Sequence, residues 1–294
     1  MEIFDLGIAW NSQPDNEFVA ELNTQALKCG LRPYLIHAFN FYSSLKDIAD
    51  NKLFFSFFLD RTLQNAHAFK GLAPFLKKKG SIFINHPDSA KKSLDKIKIH
   101  EEFLNHGIPM PVTFFLTCAD DYETWESKLK NAPLEIFKCK AINHNPVNLE
   151  INCLSDILNL KKDNAAASCI MQKKITPRRL NDRPAWFKTF YCLGETIPCW
   201  WHPATNTYTA LTAKETDEFG LRQLWEITEL IKNACKLSFF STEIVLQDDN
   251  KFVVANYVYD KPDMRRQSRF NDGLPDEIVN KVVEKCSLFA KKNG

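Results

Sequence analysis

The run from Ser81 to Thr113 constrains this chain more than any other. It reads as a strand, an Asn85-His86-Pro87 break, a lysine-bearing helix, a glycine stop, then Ile108-Pro109-Met110-Pro111. Asp88 or Ser89 is the expected helix start, because a short side-chain oxygen accepts from an orphan N–H of the first turn. Leu94, Ile97, Glu101 and Leu104 step along one face, with Phe103 beside them. Gly107 ends the helix, since glycine takes the left-handed C′ conformation without cost. Pro109 and Pro111 then force an extended exit.

The flanking regions differ in pattern. Residues 1–84 alternate strand and helix: Ile3 to Trp10, Glu17 to Cys29, Pro33 to Ala38, Leu45 to Ala49, Leu53 to Leu59, a helix ending in Lys77-Lys78-Lys79, and Ser81 to Ile84. Such alternation argues for a parallel α/β sheet. From residue 112 the pattern becomes α+β. Strands are expected at Val112 to Leu116, Leu134 to Lys140, Cys169 to Ile175, Trp186 to Leu193 and Thr196 to Trp201. A helix is expected over Glu218 to Leu237, with Leu221, Leu224, Trp225, Thr228 and Ile231 on one face. Ser241 to Gln247 and Phe252 to Tyr257 read as a hairpin, and Pro275 to Lys291 as a last helix.

The hairpin allows a geometric expectation. With Asp249-Asn250 as a two-residue turn, Glu243 falls directly opposite Asn256, about 5 Å away at Cβ on the same face. An acid facing an amide across two strands can hold a hard cation through oxygen. On the strand from Leu134, Lys138 and Lys140 share one face by alternation.

Composition narrows the class. With 294 residues, 45% apolar and 25% charged, the chain is long enough for two or three compact lobes. A formal net charge of +2 gives no argument for nucleic acid. No stretch approaches the roughly 20 apolar residues that span a bilayer. The nine cysteines are scattered without a C-x-x-C, and acidic residues stand where a secretion signal would be basic. Reduced thiols in a cytoplasmic protein are expected.

The order Asn-x-Pro, a helix bearing Asp95-Lys96, then Gly107-Ile108-Pro109-x-Pro111-x-Thr113 resembles the entry to an ATP-grasp domain. The resemblance covers nearly the whole chain. It implies an α/β plus α+β ATP-grasp fold with an N-terminal parallel α/β lobe over 1–84, a linking helix and entry over 85–111, a small central lobe over 112–180 and a C-terminal lobe over 181–294. It implies ATP and Mg2+ as cofactors, and a carboxylate substrate on a small molecule or peptide. Lys96, Lys138 and Lys140 would then reach phosphates, and the backbone of Met171, Gln172, Lys173 and Lys174 would meet adenine. Glu243 and Asn256 have the spacing of the family's magnesium ligands, with Asp260 close by. Lys188 sits near where relatives use a basic residue toward phosphate or substrate, and Arg265 is placed to orient an acyl phosphate. The implied reaction is activation of a carboxylate as an acyl phosphate for attack by an amine or other nucleophile.

Three departures accompany the resemblance. Asn256 stands where the family has Glu, Val258 stands where it has Asn, and the loop from Ala141 to Pro146 has no glycine. Ligase, non-catalytic nucleotide- or peptide-binding scaffold, and small-molecule kinase therefore all stay open. Trp200-Trp201-His202 offers either a stacking surface or a core contact.

Overall fold

In the computed structural model, which describes residues 1–63, 69, 71–130, 137–141, 148–151 and 169–293, the N-terminal alternation folds into a parallel sheet. Its elements are β1 (Glu2–Trp10), α1 (Asn16–Lys28), β2 (Pro33–Ile36), α2 (Phe41–Ala49), β3 (Leu53–Arg61), α3 (Leu72–Lys78) and β4 (Ile82–Ile84). The strand order is β2-β1-β3-β4, and every pairing is parallel. Apolar side chains cover both faces, as a parallel sheet requires. Ala9, Phe58 and Phe83 pack with Phe41, Ile48, Leu72 and Leu76 of α2 and α3. Leu6, Ile8, Phe57 and Leu59 pack with Phe18 and Leu22 of α1.

The linking segment differs from the single helix that the sequence leads one to expect. It forms two helices, α4 (Pro87–Leu94) and α5 (Lys96–Asn105). His86 is the N-cap of α4 and Pro87 opens it, because proline's missing N–H is no loss at the first position. Asp95 takes an extended conformation and caps α5 through the Lys98 N–H. This break resets the helical phase. The buried residues of α5 are Ile99, His100 and Phe103, while Leu94 and Leu104 are exposed. Gly107 does follow the helix at φ 67°, where its N–H reaches the Leu104 carbonyl.

The central region contains β5 (Thr113–Leu116), α6 (Tyr122–Lys130), β6 (Phe137–Ala141), β7 (Asn148–Ile151) and β8 (Cys169–Lys173). These strands form an antiparallel sheet in the order β5-β8-β6-β7. A short ribbon, β9 (Arg179–Leu180) with β10 (Arg183–Pro184), leads into the last sheet.

That sheet is antiparallel, with order β13-β12-β11-β14-β15. Its strands are β11 (Trp186–Cys192), β12 (Glu195–His202), β13 (Thr207–Ala210), β14 (Phe239–Leu246) and β15 (Phe252–Tyr259). The helix expected over 218–237 is shorter. α7 (Ala213–Glu218), capped by a Thr212–Glu215 box, stops at Gly220, whose φ is 64°. α8 (Gln223–Cys235) follows and buries Leu224, Thr228 and Ile231 as the periodicity requires. It packs with Phe187, Tyr191, Phe240 and Ile244 of the sheet. The final helix, α9 (Asp276–Asn293), joins the core of β1, β3 and α1 through Val279, Val282 and Cys286.

Candidate functional site

The hairpin of β14 and β15 reaches the expected pairing by an unexpected route. Leu246 pairs with Phe252, Val245 with Val253 and Ile244 with Val254. This is one residue out of step with a two-residue turn. The loop is longer, closed by Gln247 and Lys251, with Asn250 left-handed at φ 63°. A register shift between Glu243 and Ile244 then restores Glu243 opposite Asn256. A second shift lies between Ser241 and Glu243. Such bulges re-aim a side chain beside a site.

Glu243 is buried, and two donors meet its Oε1. Lys188, its cross-strand partner on β11, brings Nζ to 3.5 Å. Asn256 points Nδ2 at the same oxygen from 3.5 Å and donates to the Tyr259 hydroxyl at 2.6 Å. The Asn256 Oδ1 accepts from the N–H of Tyr257. The Lys188 ammonium lies 5.1 Å from the ring centre of Trp201 and 5.0 Å from that of Tyr259. Cations are held over aromatic faces by the ring quadrupole. Burial first, and the Glu243 carboxylate second, push the Tyr259 phenol up to about 12, so its hydroxyl stays neutral near pH 7. Lys188, Glu243, Asn256, Tyr259 and Trp201 are thus one connected group.

Beside it lies a small apolar floor. Val245, Val253 and Ala255 are buried together, with Ile175 and Trp186 packed against them. Ile175 lies two residues past the end of β8, so this floor adjoins the 171–174 segment. Met171 and Gln172 are buried, whereas Lys174 is exposed. The N–H of Lys173 donates to the Val112 carbonyl at 2.9 Å. Lys138 on β6 pairs with Gln172, and Lys140 with Ile170. The glycine-free loop from Ala141 to Pro146 lies, from residue 142 onward, outside the described residues.

The remaining candidates fall in three places. Lys96 begins α5 and places Nζ 5.4 Å from the ring centre of Tyr257, the residue after Asn256. Asp260 has its carbonyl bonded to Asn85 at 2.8 Å. Its carboxyl is pushed up by burial, with Lys261, Asp60 and Arg61 as its charged neighbours. Arg265 is held by two carboxylates. Its Nε meets Asp263 at 2.8 Å, and two further nitrogens meet Asp272 at 3.1 and 2.8 Å. These bonds raise its already high pKa further. Among the described residues, no group of three or more His, Cys, Asp or Glu is placed to hold a metal ion. Trp200 is buried among α8 residues. With Trp201, His202 and Arg183 it also borders a cavity of about 290 Å³.

No protein-family model matches this chain, and no curated protein matches its sequence. Solved structures do match in three dimensions. The ATP-grasp ligase PsnB, complexed with a precursor peptide and AMPPNP, aligns with a TM-score of 0.65 over 100% of this chain and 98% of its own, at 13% identity. D-Alanine–D-alanine ligase from Bacillus anthracis, complexed with ATP, gives 0.63 over 98% and 99%, at 12% identity. The chain has the ATP-grasp fold. A RimK domain ATP-grasp protein from Sphaerobacter thermophilus gives 0.58 over 97% and 99%, at 14% identity. The ATP-grasp likeness therefore runs end to end, and at these identities it is a likeness of fold.

Two parts of the group escaped the sequence reading. Tyr259 lay beyond the expected end of its strand, and its link to Asn256 depends on a bulge. The apolar floor and the residues packed against it come from four separate segments, so no local spacing reveals it.

Proposed function

We propose that this ATP-grasp chain is an ATP-dependent ligase that activates a carboxylate. The γ-phosphoryl group of ATP passes to a carboxylate oxygen, giving an acyl phosphate and ADP. An amine or other nucleophile then attacks the acyl carbon and expels phosphate. The observation that carries this reading is the Lys188–Glu243–Asn256 group on the last sheet of an ATP-grasp fold.

The chain's own residues divide the work by position. The floor of Val245, Val253 and Ala255 takes the adenine ring, whose edge meets the backbone of Met171, Gln172, Lys173 and Lys174. Lys96, Lys138 and Lys140 hold phosphates. Glu243 fits a magnesium ion, because magnesium is held through one or two carboxylates plus phosphate oxygens and water. Asn256 would join that ion only by turning its carbonyl toward it, and Asp260 only by moving its carboxyl away from Lys261, Asp60 and Arg61. Bound magnesium supplies charge neutralisation on the transferring phosphoryl group. Arg265, already forked by two carboxylates, orients the acyl phosphate only by exchanging one of them. The 85–111 segment links a 1–84 lobe to the 112–180 and 181–294 lobes, between which the nucleotide lies.

A second reading, nucleotide binding without ligation, is favoured by one observation. Asn256 offers Glu243 its N–H side, where a second carboxylate would bind metal more strongly. Hydroxylamine trapping separates the two. Incubation with Mg–ATP, hydroxylamine and a panel of amino acids and acidic peptides is expected to give a hydroxamate and stoichiometric ADP for at least one carboxylate. ATP binding without ADP release across the panel contradicts the ligase.

A further inference from the structure

The charge balance around Glu243 has a consequence for how many metal ions the site takes. Its one buried carboxylate is paired with an ammonium at 3.5 Å, and the side-chain exposures of Lys188 and Glu243 are only 16% and 8%. The facing strand contributes a neutral amide, whose N–H side is turned toward the acid. Lys188 cannot withdraw cheaply, since the Trp201 and Tyr259 rings flank its ammonium on the same surface. Beside the phosphates, a second divalent ion needs a carboxylate oxygen that no other cation already neutralises. Here a fixed positive charge already shares the carboxylate oxygen.

Resting on the reading of this group as the triphosphate end of a nucleotide site, we infer that Lys188 occupies the place of a second divalent ion. The site takes one ion on Glu243, and the Lys188 ammonium supplies the further positive charge to the phosphates. A lysine is suited to this as a compact point charge with three donors. The burial of the pair keeps that charge weakly screened.

Manganese binding to the full chain, followed by electron paramagnetic resonance with AMPPNP present, tests this without turnover. One manganese per bound AMPPNP is expected for the native chain. Lys188→Met is expected to lower AMPPNP affinity about tenfold or more, the loss of one charged contact. It is also expected to take up a second manganese per nucleotide as manganese is raised. Lys188→Arg, checked for folding by its thermal transition, keeps the charge and is expected to stay at one. Two manganese ions per nucleotide in the native chain overturn the inference while leaving nucleotide binding intact. So does an unchanged AMPPNP affinity in folded Lys188→Met. A native chain that binds no AMPPNP at all overturns the underlying site.

Discussion

The Asn85 side chain pairs with both backbone groups of Phe239: Oδ1 accepts the Phe239 N–H at 2.8 Å, and Nδ2 donates to the Phe239 carbonyl. The same amide accepts from the Ser238 N–H and donates to the Asp260 carbonyl. One residue at the end of β4 thus ties the parallel sheet to the start of β14 and the end of β15. Only an amide side chain offers donors and an acceptor in this arrangement, and asparagine tolerates the left-handed φ of 66° found there. Asn85→Ala strands several buried backbone groups. A loss of about 3 kcal/mol is expected in denaturant unfolding, since each unsatisfied buried group costs roughly 1–3 kcal/mol. Asn85→Asp loses the donors but keeps acceptors and is expected to be as damaging.

The metal dependence of nucleotide binding reads out the β14–β15 pairing. Glu243→Gln keeps the shape of the group but removes its only carboxylate. Magnesium is then expected to have little effect on ATP affinity in calorimetric titration. Asn256→Glu sets a second carboxylate opposite the first and is expected to steepen the magnesium dependence. A Glu243→Gln protein with native magnesium dependence places the ion elsewhere.

Arg265 closes the loop between β15 and α9. Besides Asp263 and Asp272, it lies over the Phe270 ring at 5.1 Å. The loop is tight: a Cβ on Gly273 would come within 2.4 Å of the Arg266 backbone. Arg265→Lys retains the charge but loses the fork that serves two carboxylates at once. Turnover is expected to fall by more than ATP affinity, as the loop shifts beside the site. Equal turnover in Arg265→Lys assigns the residue to the loop alone.

Burial of His100 sets a pH dependence. Its ring lies between α5 and β15, with Nδ1 3.1 Å from the Tyr257 hydroxyl. Burial lowers its pKa from the usual 6.5. The unfolded chain therefore binds the proton more readily than the folded one. That stability is present above pH 6.5 and is lost as the pH falls from 6.5 toward the lower folded value. A thermal transition that declines over this interval is expected in the native chain, with a flatter decline in His100→Gln. An identical decline in both proteins assigns the acid sensitivity to other groups.

The parallel sheet was legible because its strands alternate with helices at short range, from Ile3 to Ile84. Gly107 and the periodic face of α8 were legible for the same reason. The buried face of α5 was not, because Asp95 caps a new helix and shifts the phase of every residue after it. Glu243 and Asn256 were correctly paired from a turn that the structure does not contain. A longer loop and a bulge offset one another by one residue. Asn85 read as a break between elements, yet its partners lie more than 150 residues away, beyond any local pattern. Tyr259, Trp201 and Lys188 come from three different strands, so no local pattern marks them as one group with Glu243.

Calorimetric titration of the full chain with AMPPNP, with and without magnesium, bears most directly on the nucleotide site built around Glu243 and Lys188. One saturable site per chain is expected, tighter with magnesium, and weakened in both Lys96→Met and Lys188→Met while their thermal transitions remain cooperative. No heat of binding at millimolar AMPPNP under either condition, from a chain with a native thermal transition, would contradict it.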